Sequence, residues 1–410
     1  MDILVITAYY LPDGGPAAPL YTMLCEALAQ RGHHVDVITA VPHYPSGKVP
    51  ESYRGKFSFY SIEKNVRVRR MGLPSVNRAK LSDRLLQFVV FQFRSTYASW
   101  KTHYDILLTH SPSLETWLPF ACHTVIRRKP AIYSVHDVYP DIGISLGIFH
   151  KGPALKILTA MEKFCLNHAC KVRILSKSFI TGLERLGIPQ EKITLLYDWA
   201  DMTAISPLPR TNSFAREQGL TDGFVVLYAG NIGLSQGLEF VLDAARLLSE
   251  QPDINFVFIG EGSGKPALME RAKSLDLGNV RFLPFQPRER LSEVLATADV
   301  SLVSLKRGSG GGSLPSKTYS IMASERPIIA SVDQDSDTWD LIQRAGCGVC
   351  IPPGNPELIA EAIISLRRDE KRRLDLGKTG RQYALAHHSS ESAAVQFEEL
   401  FQQVINEHDY

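Results

Sequence analysis

The sequence predicts an α/β fold built from two doubly wound domains. Two observations lead to this prediction. The chain has 410 residues, which is more than one ordinary hydrophobic core accommodates. Short apolar segments also alternate with helical patterns in two separate series, each opening with a strand and a glycine turn. A hydrophobic content of 44% and a charged content of 21% are typical of globular proteins.

The first series opens at the N-terminus. An apolar strand at 3–8 leads into a loop that contains Gly14 and Gly15. A helix of 3.6-residue periodicity follows at 20–28, and a second strand is expected at 35–39. Further apolar runs predict buried parallel strands at 106–109, 132–135 and 172–175.

The second series repeats this plan. A strand at Phe224–Ala229 precedes a loop at 230–235 and a helix at 236–248. Five more apolar segments, each separated by a helical pattern, read as strands: NFVFIGEGSG, VRFLPF, ADVSLVSL, RPIIAS and GVCIPP. Such alternation predicts parallel sheets covered on both faces. Because these sheets bind ligands at the C-terminal ends of their strands, we expect both sets of loops to line a cleft.

A segment rich in proline, glycine and polar residues separates the two series at about 203–222. We therefore assign residues 1–205 to an N-terminal Rossmann-like domain and 206–388 to a C-terminal one. A helical tail, 389–410, is expected to cross back and pack on the N-terminal domain.

Charge and cysteine content limit the location of the protein. Residues 48–101 hold 12 basic and 3 acidic residues, so this segment is where an anionic surface would dock. The six cysteines are scattered, which suits a reducing compartment. The longest apolar run, at 85–93, is too short to span a bilayer, and the N-terminus reads as a strand and not as a signal peptide.

Six motifs carry a resemblance to a known family: YYLPDGGPAA, VPHYPSGKV, AGNIGLSQGLE, GEGSGKPALME, LPSKTYSIMASERPIIAS and AGCGVCIPPGNPE. With these motifs the chain resembles family-four retaining glycosyltransferases of the GT-B fold. It is most similar to bacterial enzymes of O-antigen, capsule and exopolysaccharide synthesis, including fucosyl- and N-acetylfucosaminyl-type transferases. The resemblance implies a nucleotide-sugar donor bound by the C-terminal domain, an acceptor bound by the N-terminal domain, and catalysis with retention and without a metal or cofactor.

Lys317 is the main candidate for binding the donor diphosphate. It follows a glycine-rich loop and precedes a helix, and its ammonium group adds a full positive charge against the leaving nucleotide. The backbone amides of 230–235 are expected to supply further donors, although plain turn chemistry explains these glycines equally well. The other donor-binding candidates of this domain are Gly230, Asn231, Gly233, Gln236, Glu261, Ser316 and Ser320.

Two expected carboxylates are absent. The family carries one at the position of Gly312, where it contacts the transferred sugar, and another at the position of Ser320, where it holds the ribose. Ser320 can still bond a hydroxyl, but without a charge the bond is weaker. Relatives also carry arginine and lysine where this chain has Asn231 and Gln236, so Lys317 is expected to carry more of the phosphate charge. Glu261 could bind a hydroxyl or serve as a helix-entry carboxylate.

His136 is the candidate for contact with the donor sugar. It follows a predicted strand of the N-terminal domain and matches a histidine that has this role in the family. Asp137 and Asp141 lie nearby, and Asp137 could orient the imidazole. Gly14 and Gly15 are expected to let their loop approach the sugar or phosphate closely.

The segment 78–101 mixes aromatic and basic residues on a helical pattern. This pattern fits either a helix lying on an anionic membrane or a core helix with a solvated edge. The resemblance favours the membrane, because many acceptors of the family are polyprenyl-linked sugars. No motif supports nucleic-acid binding.

The sequence thus predicts a glycosyltransferase, peripheral on the cytoplasmic face of the cell membrane, that uses a UDP-linked hexose or N-acetylated or deoxy hexose and a lipid-linked or oligosaccharide acceptor. His136 and Lys317 are its candidate catalytic residues. Two alternatives remain: a non-catalytic protein that binds sugar nucleotides or acts as a scaffold, and a nucleotide-sugar 2-epimerase.

Overall fold

A computed structural model describes residues 1–77, 80–137, 152–202, 204–309 and 314–408, with the side chains of residues 81, 153 and 154 excepted. The chain divides into two compact units. The first comprises Met1–Asp198 and Ser390–Tyr410, and the second comprises Trp199–Ser389. The division after Asp198 lies a few residues before the boundary after residue 205 that was predicted from the proline-rich segment.

The first unit is built on an eight-stranded sheet with the order β3-β4-β2-β1-β5-β6-β7-β8. All neighbouring strands are parallel except β3 and β4. The strands are β1 (Asp2–Ile6), β2 (His34–Ala40), β3 (Ser58–Glu63), β4 (Val66–Met71), β5 (Ile106–His110), β6 (Ala131–Val135), β7 (Lys171–Ile174) and β8 (Ile193–Leu195). Its helices include α1 (Ala18–Gln30), α2 (Leu81–Ser99), α3 (Ser113–Ala121), α4 (Pro153–His168) and α5 (Phe179–Arg185).

The antiparallel hairpin of β3 and β4 is not evident from the apolar pattern of the sequence. β4 alternates buried with exposed or partly exposed residues over its first four positions, and its arginines mask the apolar face, whereas no residue of β3 is fully buried. Lys64 and Asn65 form the turn with positive φ angles of 45° and 68°, as two-residue hairpin turns require. The basic segment therefore begins as an edge hairpin and continues into α2.

The second unit contains a six-stranded parallel sheet with the order β11-β10-β9-β12-β13-β14. Its strands are β9 (Phe224–Ala229), β10 (Ile254–Ile259), β11 (Val280–Leu283), β12 (Val300–Ser304), β13 (Ile328–Ser331) and β14 (Gly348–Ile351). Its helices include α6 (Ser213–Glu217), α7 (Leu238–Leu247), α8 (Lys265–Ser274), α9 (Leu291–Ala296), α10 (Lys317–Ala323), α11 (Asp337–Ala345), α12 (Pro356–Arg368) and α13 (Glu370–His387).

Each unit has its own hydrophobic core, formed by apolar side chains of the strands and of the helices packed on them. Both sheets change the direction of strand order beside their first strand, between β1 and β5 and between β9 and β12. This arrangement confirms the prediction of two doubly wound α/β domains. It also marks the loops after β1 and β9 as the places where such sheets bind ligands.

The C-terminal helix α14 (Ser390–His408) belongs to the first unit, where it packs against α1. Phe397, Phe401 and Val404 supply the buried face of α14. At the edge of this contact, the Arg31 guanidinium donates to Glu398 with an N···O distance of 2.6 Å. The tail therefore completes the packing of the first domain.

Candidate functional site

The loop after β9 is held close to the end of β10 by backbone hydrogen bonds. The amide of Gly230 donates to the Ile259 carbonyl at 2.9 Å, and the amide of Ile232 donates to the Glu261 carbonyl at 2.8 Å. Gly260 has a φ of +151°, and a β-carbon there would overlap with the carbonyl oxygen of Gly230. The expectation that all amides of 230–235 are free for a phosphate is therefore wrong for Gly230 and Ile232.

The rest of this loop presents a different arrangement. A 3₁₀ turn at Leu234–Gln236 precedes α7, which begins at Leu238 and not at 236 as predicted, because Gly237 takes a left-handed conformation. Within the described part of the chain, the amides of Gly233, Leu234 and Ser235 donate to no protein acceptor. These three consecutive N–H groups are the ones available to an anion.

Lys317 begins α10, and its ammonium group is held by two neutral oxygen atoms. Its Nζ donates to the Tyr228 hydroxyl at 2.6 Å and to Oε1 of Gln236 at 2.9 Å. It also lies 4.1 Å from the centroid of the Tyr228 ring. Tyr228 donates in turn to the Asn231 carbonyl at 2.6 Å. The lysine is thus fixed by β9 and by the loop that follows it.

The charge of this lysine is not compensated by the protein. Among the described residues, no carboxylate lies within ion-pair distance of the Lys317 Nζ, and burial lowers the pKa of this amine to about 7. The two fully buried guanidinium groups of the described residues have a counter-charge: Arg70 pairs with Glu63 and Arg173 pairs with Asp198, each at 2.6 Å. A buried ammonium group without a counter-ion is the environment that an anionic ligand stabilises.

A pocket of about 330 Å³ opens beside Lys317 at the C-terminal end of the second sheet. Four of the predicted residues line it together: Gly230, Ser316, Lys317 and Ser320. The pocket continues along the segment that follows β11, where its lining includes Phe285, Gln286, Pro287 and Arg288. Its lining therefore includes a lysine, an exposed aromatic ring and a guanidinium group.

The remaining predicted residues of this unit lie around the pocket without lining it. The exposed carboxylate of Glu261 pairs with the Lys265 ammonium at 2.7 Å, four residues further along the chain. Gly233 lines a separate pocket of about 250 Å³, and the Asn231 side chain is exposed. Gly312 lies outside the described residues.

In the first unit, the loop after β1 is fixed by a buried carboxylate. Asp13 accepts the amide of Gly15 at 2.7 Å and the amide of His43 at 2.7 Å, and its Oδ2 lies 3.3 Å from His43 Nδ1. Burial raises the pKa of Asp13, but the hydrogen bonds from His43 and Gly15 outweigh it and leave the pKa lowered. A β-carbon on Gly15 would overlap with the ring of Tyr9, so glycine is required there.

His136 follows β6, and its position is fixed by residues at the end of β5 and by one residue of α1. The His136 amide donates to Oγ of Ser111 at 2.9 Å, and its Nε2 lies 3.0 Å from the Tyr21 hydroxyl. The ring of His110 meets that of His136 edge-on, with the two centroids 5.5 Å apart. Tyr21, and not Asp137, is therefore the hydrogen-bonding partner of the His136 ring among the described residues.

The surroundings of His136 favour its neutral form. Burial lowers the pKa of the imidazole to about 3, and Arg173 and His110 act in the same direction, while Asp198 opposes them. The pKa of the neighbouring Asp137 is raised by burial to about 6. His136 at neutral pH is therefore an uncharged hydrogen-bonding group. Asp141 lies outside the described residues.

Several residues that organise these sites do not stand out in the sequence. Tyr228 lies inside an apolar strand, so the sequence does not show whether its hydroxyl binds a polar group or its ring only packs in the core. Tyr21 lies in α1, 115 residues before the histidine that its hydroxyl contacts, so no local pattern links the two. Asp13 and His43 belong to the motifs YYLPDGGPAA and VPHYPSGKV, and the segment 285–288 follows a strand end. All three follow a strand, and that position is the signal by which the sequence could have identified them.

The segment 78–101, which mixes basic and aromatic residues, has several large apolar side chains exposed to solvent. Along α2, the exposed residues Val89, Phe93 and Tyr97 recur at intervals of four, and the exposed fraction reaches 64% at Phe93 and 73% at Tyr97. Gln87, Phe91 and Ser95 form the buried face of the helix instead. In the described part of the chain, no helix combines the length and hydropathy needed to cross a bilayer.

Two family profiles match the chain in sequence order. The profile described as Glycosyl transferase 4-like domain matches residues 14–199, and the profile described as Glycosyl transferases group 1 matches residues 210–383. These two matches follow the division of the chain into two units; the first begins within the loop after β1, and the second contains the loop after β9.

Full-length relatives carry glycosyltransferase names. The chain is 28% identical over 373 residues to WcaI of Escherichia coli strain K12, provisionally assigned as a colanic acid biosynthesis glycosyl transferase, and the match covers 88% of this chain and 91% of that protein. It is 25% identical over 311 residues to WbjE of Pseudomonas aeruginosa, provisionally assigned as a glycosyltransferase, with 75% and 76% of the two chains covered.

Solved structures show the same fold. The crystal structure of Anabaena HepE in complex with UDP superposes with a TM-score of 0.69 at 15% identity, covering 98% of this chain and 100% of that one. This likeness confirms the predicted GT-B fold with its two Rossmann-like domains. The chain therefore belongs to the glycosyltransferases that join a glycosyl transferase 4-like domain to a group 1 glycosyl transferase domain.

Proposed function

We propose that this protein is a retaining glycosyltransferase of cell-surface polysaccharide synthesis. It moves a hexose, or an N-acetylated or deoxy hexose, from a UDP-linked donor to a lipid-linked saccharide. One observation carries the proposal: the Lys317 ammonium group lies beside a strand-end pocket, and its hydrogen-bond partners among the described residues are the neutral oxygen atoms of Tyr228 and Gln236.

The second unit binds the donor in this proposal. The diphosphate accepts hydrogen bonds from Lys317 and from the free amides of Gly233, Leu234 and Ser235. The base lies toward the segment 285–288, where the half-exposed Phe285 ring can stack on it. The same fold binds UDP and UDP-glucose in the HepE crystal structures, which supports a uridine nucleotide.

Ser320 takes the place of the missing ribose carboxylate. It lines the pocket one turn after Lys317, so its hydroxyl can reach the same ligand. A hydroxyl bonds a ribose less strongly than a carboxylate does. The phosphate contacts therefore contribute a larger share of donor affinity than in relatives that keep the carboxylate.

The chemical step requires stabilisation of the leaving diphosphate. In front-side transfer, the bond from the anomeric carbon to the phosphate oxygen breaks while the acceptor hydroxyl approaches from the same face. The leaving phosphate oxygen accepts the acceptor proton, and the configuration is retained. Lys317 and the loop amides offset the charge that develops on the phosphate, which makes the step independent of a metal ion.

The first unit binds the acceptor and contacts the sugar that is transferred. His136 is neutral and fixed through Ser111 and Tyr21, so it acts as a positioned hydrogen-bonding group and not as a charged acid. Asp13 holds the loop of Gly14 and Gly15 in place, which lets its backbone approach the sugar. The exposed apolar face of α2 docks on the cytoplasmic surface of the membrane, where lipid-linked acceptors are found.

Two alternative functions are each favoured by one observation. A non-catalytic protein that binds sugar nucleotides is favoured by the absence of a carboxylate at Ser320. A 2-epimerase needs paired acid and base groups, and in the described surroundings of His136 it is Asp137, with its pKa raised to about 6, that could serve as one of them.

Release of free UDP separates transfer from binding. With a panel of UDP-sugars and a polyprenyl-diphosphate-linked saccharide in detergent, we expect UDP release that depends on the acceptor and a product with the donor's anomeric configuration by proton NMR. Lys317→Met should lower release by about 10²- to 10³-fold, because the leaving charge loses its cation. Nucleotide binding without release would favour the non-catalytic protein, and a new UDP-sugar epimer formed without acceptor would favour the epimerase.

Donor affinity should depend on pH through Lys317. The protonated amine binds the diphosphate, and its pKa without ligand is about 7. Affinity for UDP-glucose should therefore be highest below pH 7 and fall at higher pH, by at most about tenfold per unit for one proton. Calorimetric titration from pH 6 to 9 measures this, since the diphosphate of a sugar nucleotide does not ionise in that range.

Lys317→Met should bind UDP-glucose roughly 10- to 100-fold more weakly at pH 6 and lose the pH dependence. The matched control is Lys273→Met, which removes an exposed lysine from α8 of the same unit. Equal pH profiles for the wild type and Lys317→Met would contradict the assignment of the diphosphate to Lys317.

His136 should remain uncharged through the physiological range. With histidine labelled by ¹³C, and with His136→Gln to identify the resonance, we expect no titration of His136 between pH 5 and 8, because burial lowers its pKa to about 3. The pH profile of turnover should then contain no limb that His136→Gln removes. A titration of His136 near pH 6.5, the ordinary value for the residue, would contradict its role as a neutral partner.

A further inference from the structure

An apolar groove of about 660 Å³ crosses the first unit on its outer helices. Helix α3 forms its floor with Leu114, Trp117 and Leu118, and packs against both α2 and α4. Val89 and Phe93 of α2 form one wall, and α4 forms the other with Ile157, Ala160, Met161 and Phe164. The volume falls within the range of about 300–1,000 Å³ that is usual for small-molecule sites.

The side chains that line this groove offer almost no hydrogen bonds. Gln92 uses both ends of its amide on α3, donating to the Leu114 carbonyl at 2.9 Å and accepting the Leu118 amide at 2.7 Å. The buried indole N–H of Trp117 finds no acceptor among the described residues. The described side chains that line the groove thus offer no free acceptor and no exposed free donor, so the groove fits a hydrocarbon and not a sugar or a peptide backbone.

The apolar surface extends from the groove along α2. Phe93 lines the groove and also a second pocket of about 410 Å³ with Phe57, Arg94 and Tyr97. Tyr97 and Trp100 continue the stripe to the end of the helix, and both are exposed. Aromatic residues of this kind are typical of the boundary between lipid and water. The groove therefore opens into a surface that suits the edge of a bilayer.

The charges around the groove are mostly positive. Lys80, Lys101, Lys156 and Lys163 are exposed at the ends and flanks of α2 and α4. The acidic residues of α3 and α4 face inward: Glu115 is buried, and the buried Glu162 accepts the Ser113 amide and the Tyr133 hydroxyl, both at 3.0 Å. A hydrocarbon groove with a basic rim is complementary to a lipid that carries an anionic head.

We infer, on the basis of the proposed transferase function, that this groove binds a segment of the polyisoprenyl chain of the lipid-linked acceptor. The lysines at the rim face the acceptor's phosphates, and the stripe of α2 faces the bilayer from which the chain emerges. A groove of this volume holds part of a long chain, so the rest of the lipid stays in the membrane. The groove would thereby select acceptors by their lipid as well as by their sugar.

Photolabelling tests this inference directly. Undecaprenyl phosphate with a diazirine on its chain is incorporated into vesicles of phosphatidylethanolamine and phosphatidylglycerol, irradiated with the full-length protein, and the labelled peptides are mapped by mass spectrometry. We expect adducts within 89–93 and 157–164. A phosphatidylglycerol with a diazirine on its acyl chain, in the same vesicles, should label these segments much less.

Ala160→Trp fills the groove from α4 and should lower isoprenoid labelling by at least about tenfold, equivalent to about 1.4 kcal/mol of binding. Ala386→Trp makes the same change at an exposed helical alanine of the second unit and should label like the wild type. Should Ala160→Trp fold poorly by circular dichroism, Val89→Trp fills the groove from the exposed face of α2.

Three results would overturn the inference: labelling outside the groove, equal labelling by the acyl probe, or labelling that Ala160→Trp and Val89→Trp leave unchanged. A wild-type dimer in sedimentation that Ala160→Trp converts to a monomer would instead assign the groove to a second copy of the chain. Titration of each variant with UDP-glucose reports on the donor site separately. Normal UDP-glucose binding without groove labelling refutes the groove alone, and groove labelling without nucleotide binding refutes the proposed function.

Discussion

The proposed donor site depends on one interaction, the contact of a largely buried ammonium group with two neutral oxygen atoms. Lys317 donates to the Tyr228 hydroxyl and to the Gln236 amide oxygen, and no described carboxylate neutralises it. The ammonium group is therefore positioned by the fold but remains electrostatically unsatisfied. Burial lowers its pKa to about 7, and a diphosphate would restore the charged state. We propose that this uncompensated charge gives the site its affinity for an anion.

The corresponding loop of the first unit shows the opposite arrangement. Its buried charge is the carboxylate of Asp13, and the amides of Gly15 and His43 satisfy it. The carboxylate therefore fixes the loop and has no free capacity for a ligand. The two loops occupy the same place in their sheets, after the first strand at the switch point. The charge of Asp13 is satisfied within the protein and is therefore structural. The charge of Lys317 has no described counter-charge, and we propose that a ligand neutralises it.

Much of the fold was predictable from the sequence, and the reasons are physical. Buried parallel strands such as β9 are continuous apolar runs, and their helices repeat apolar residues every three to four positions. The hairpin of β3 and β4 was missed because its strands carry charged residues on an exposed face. The start of α7 was placed two residues early because the left-handed Gly237 interrupts the helical pattern.

The sequence indicated which residues form the candidate site, but it did not indicate which side chains they contact. Position after a strand predicted Gly230 and His136, since such loops collect at one edge of the sheet, and a glycine-rich loop before a helix predicted Lys317. The partner of each side chain came from a distant element: Tyr228 for Lys317, and Tyr21 for His136. A tyrosine inside an apolar strand or helix gives no sign that its hydroxyl serves a polar network.

A crystal structure of the protein with UDP-glucose would test the central claim most directly. The measured quantity is the distance from Lys317 Nζ to the nearest oxygen of the diphosphate. The account predicts a charge-assisted hydrogen bond of about 2.7–2.9 Å, with Tyr228 and Gln236 still holding the lysine in place. A bound nucleotide whose phosphates lie away from Lys317, with the ammonium group still paired only to Tyr228 and Gln236, would contradict it.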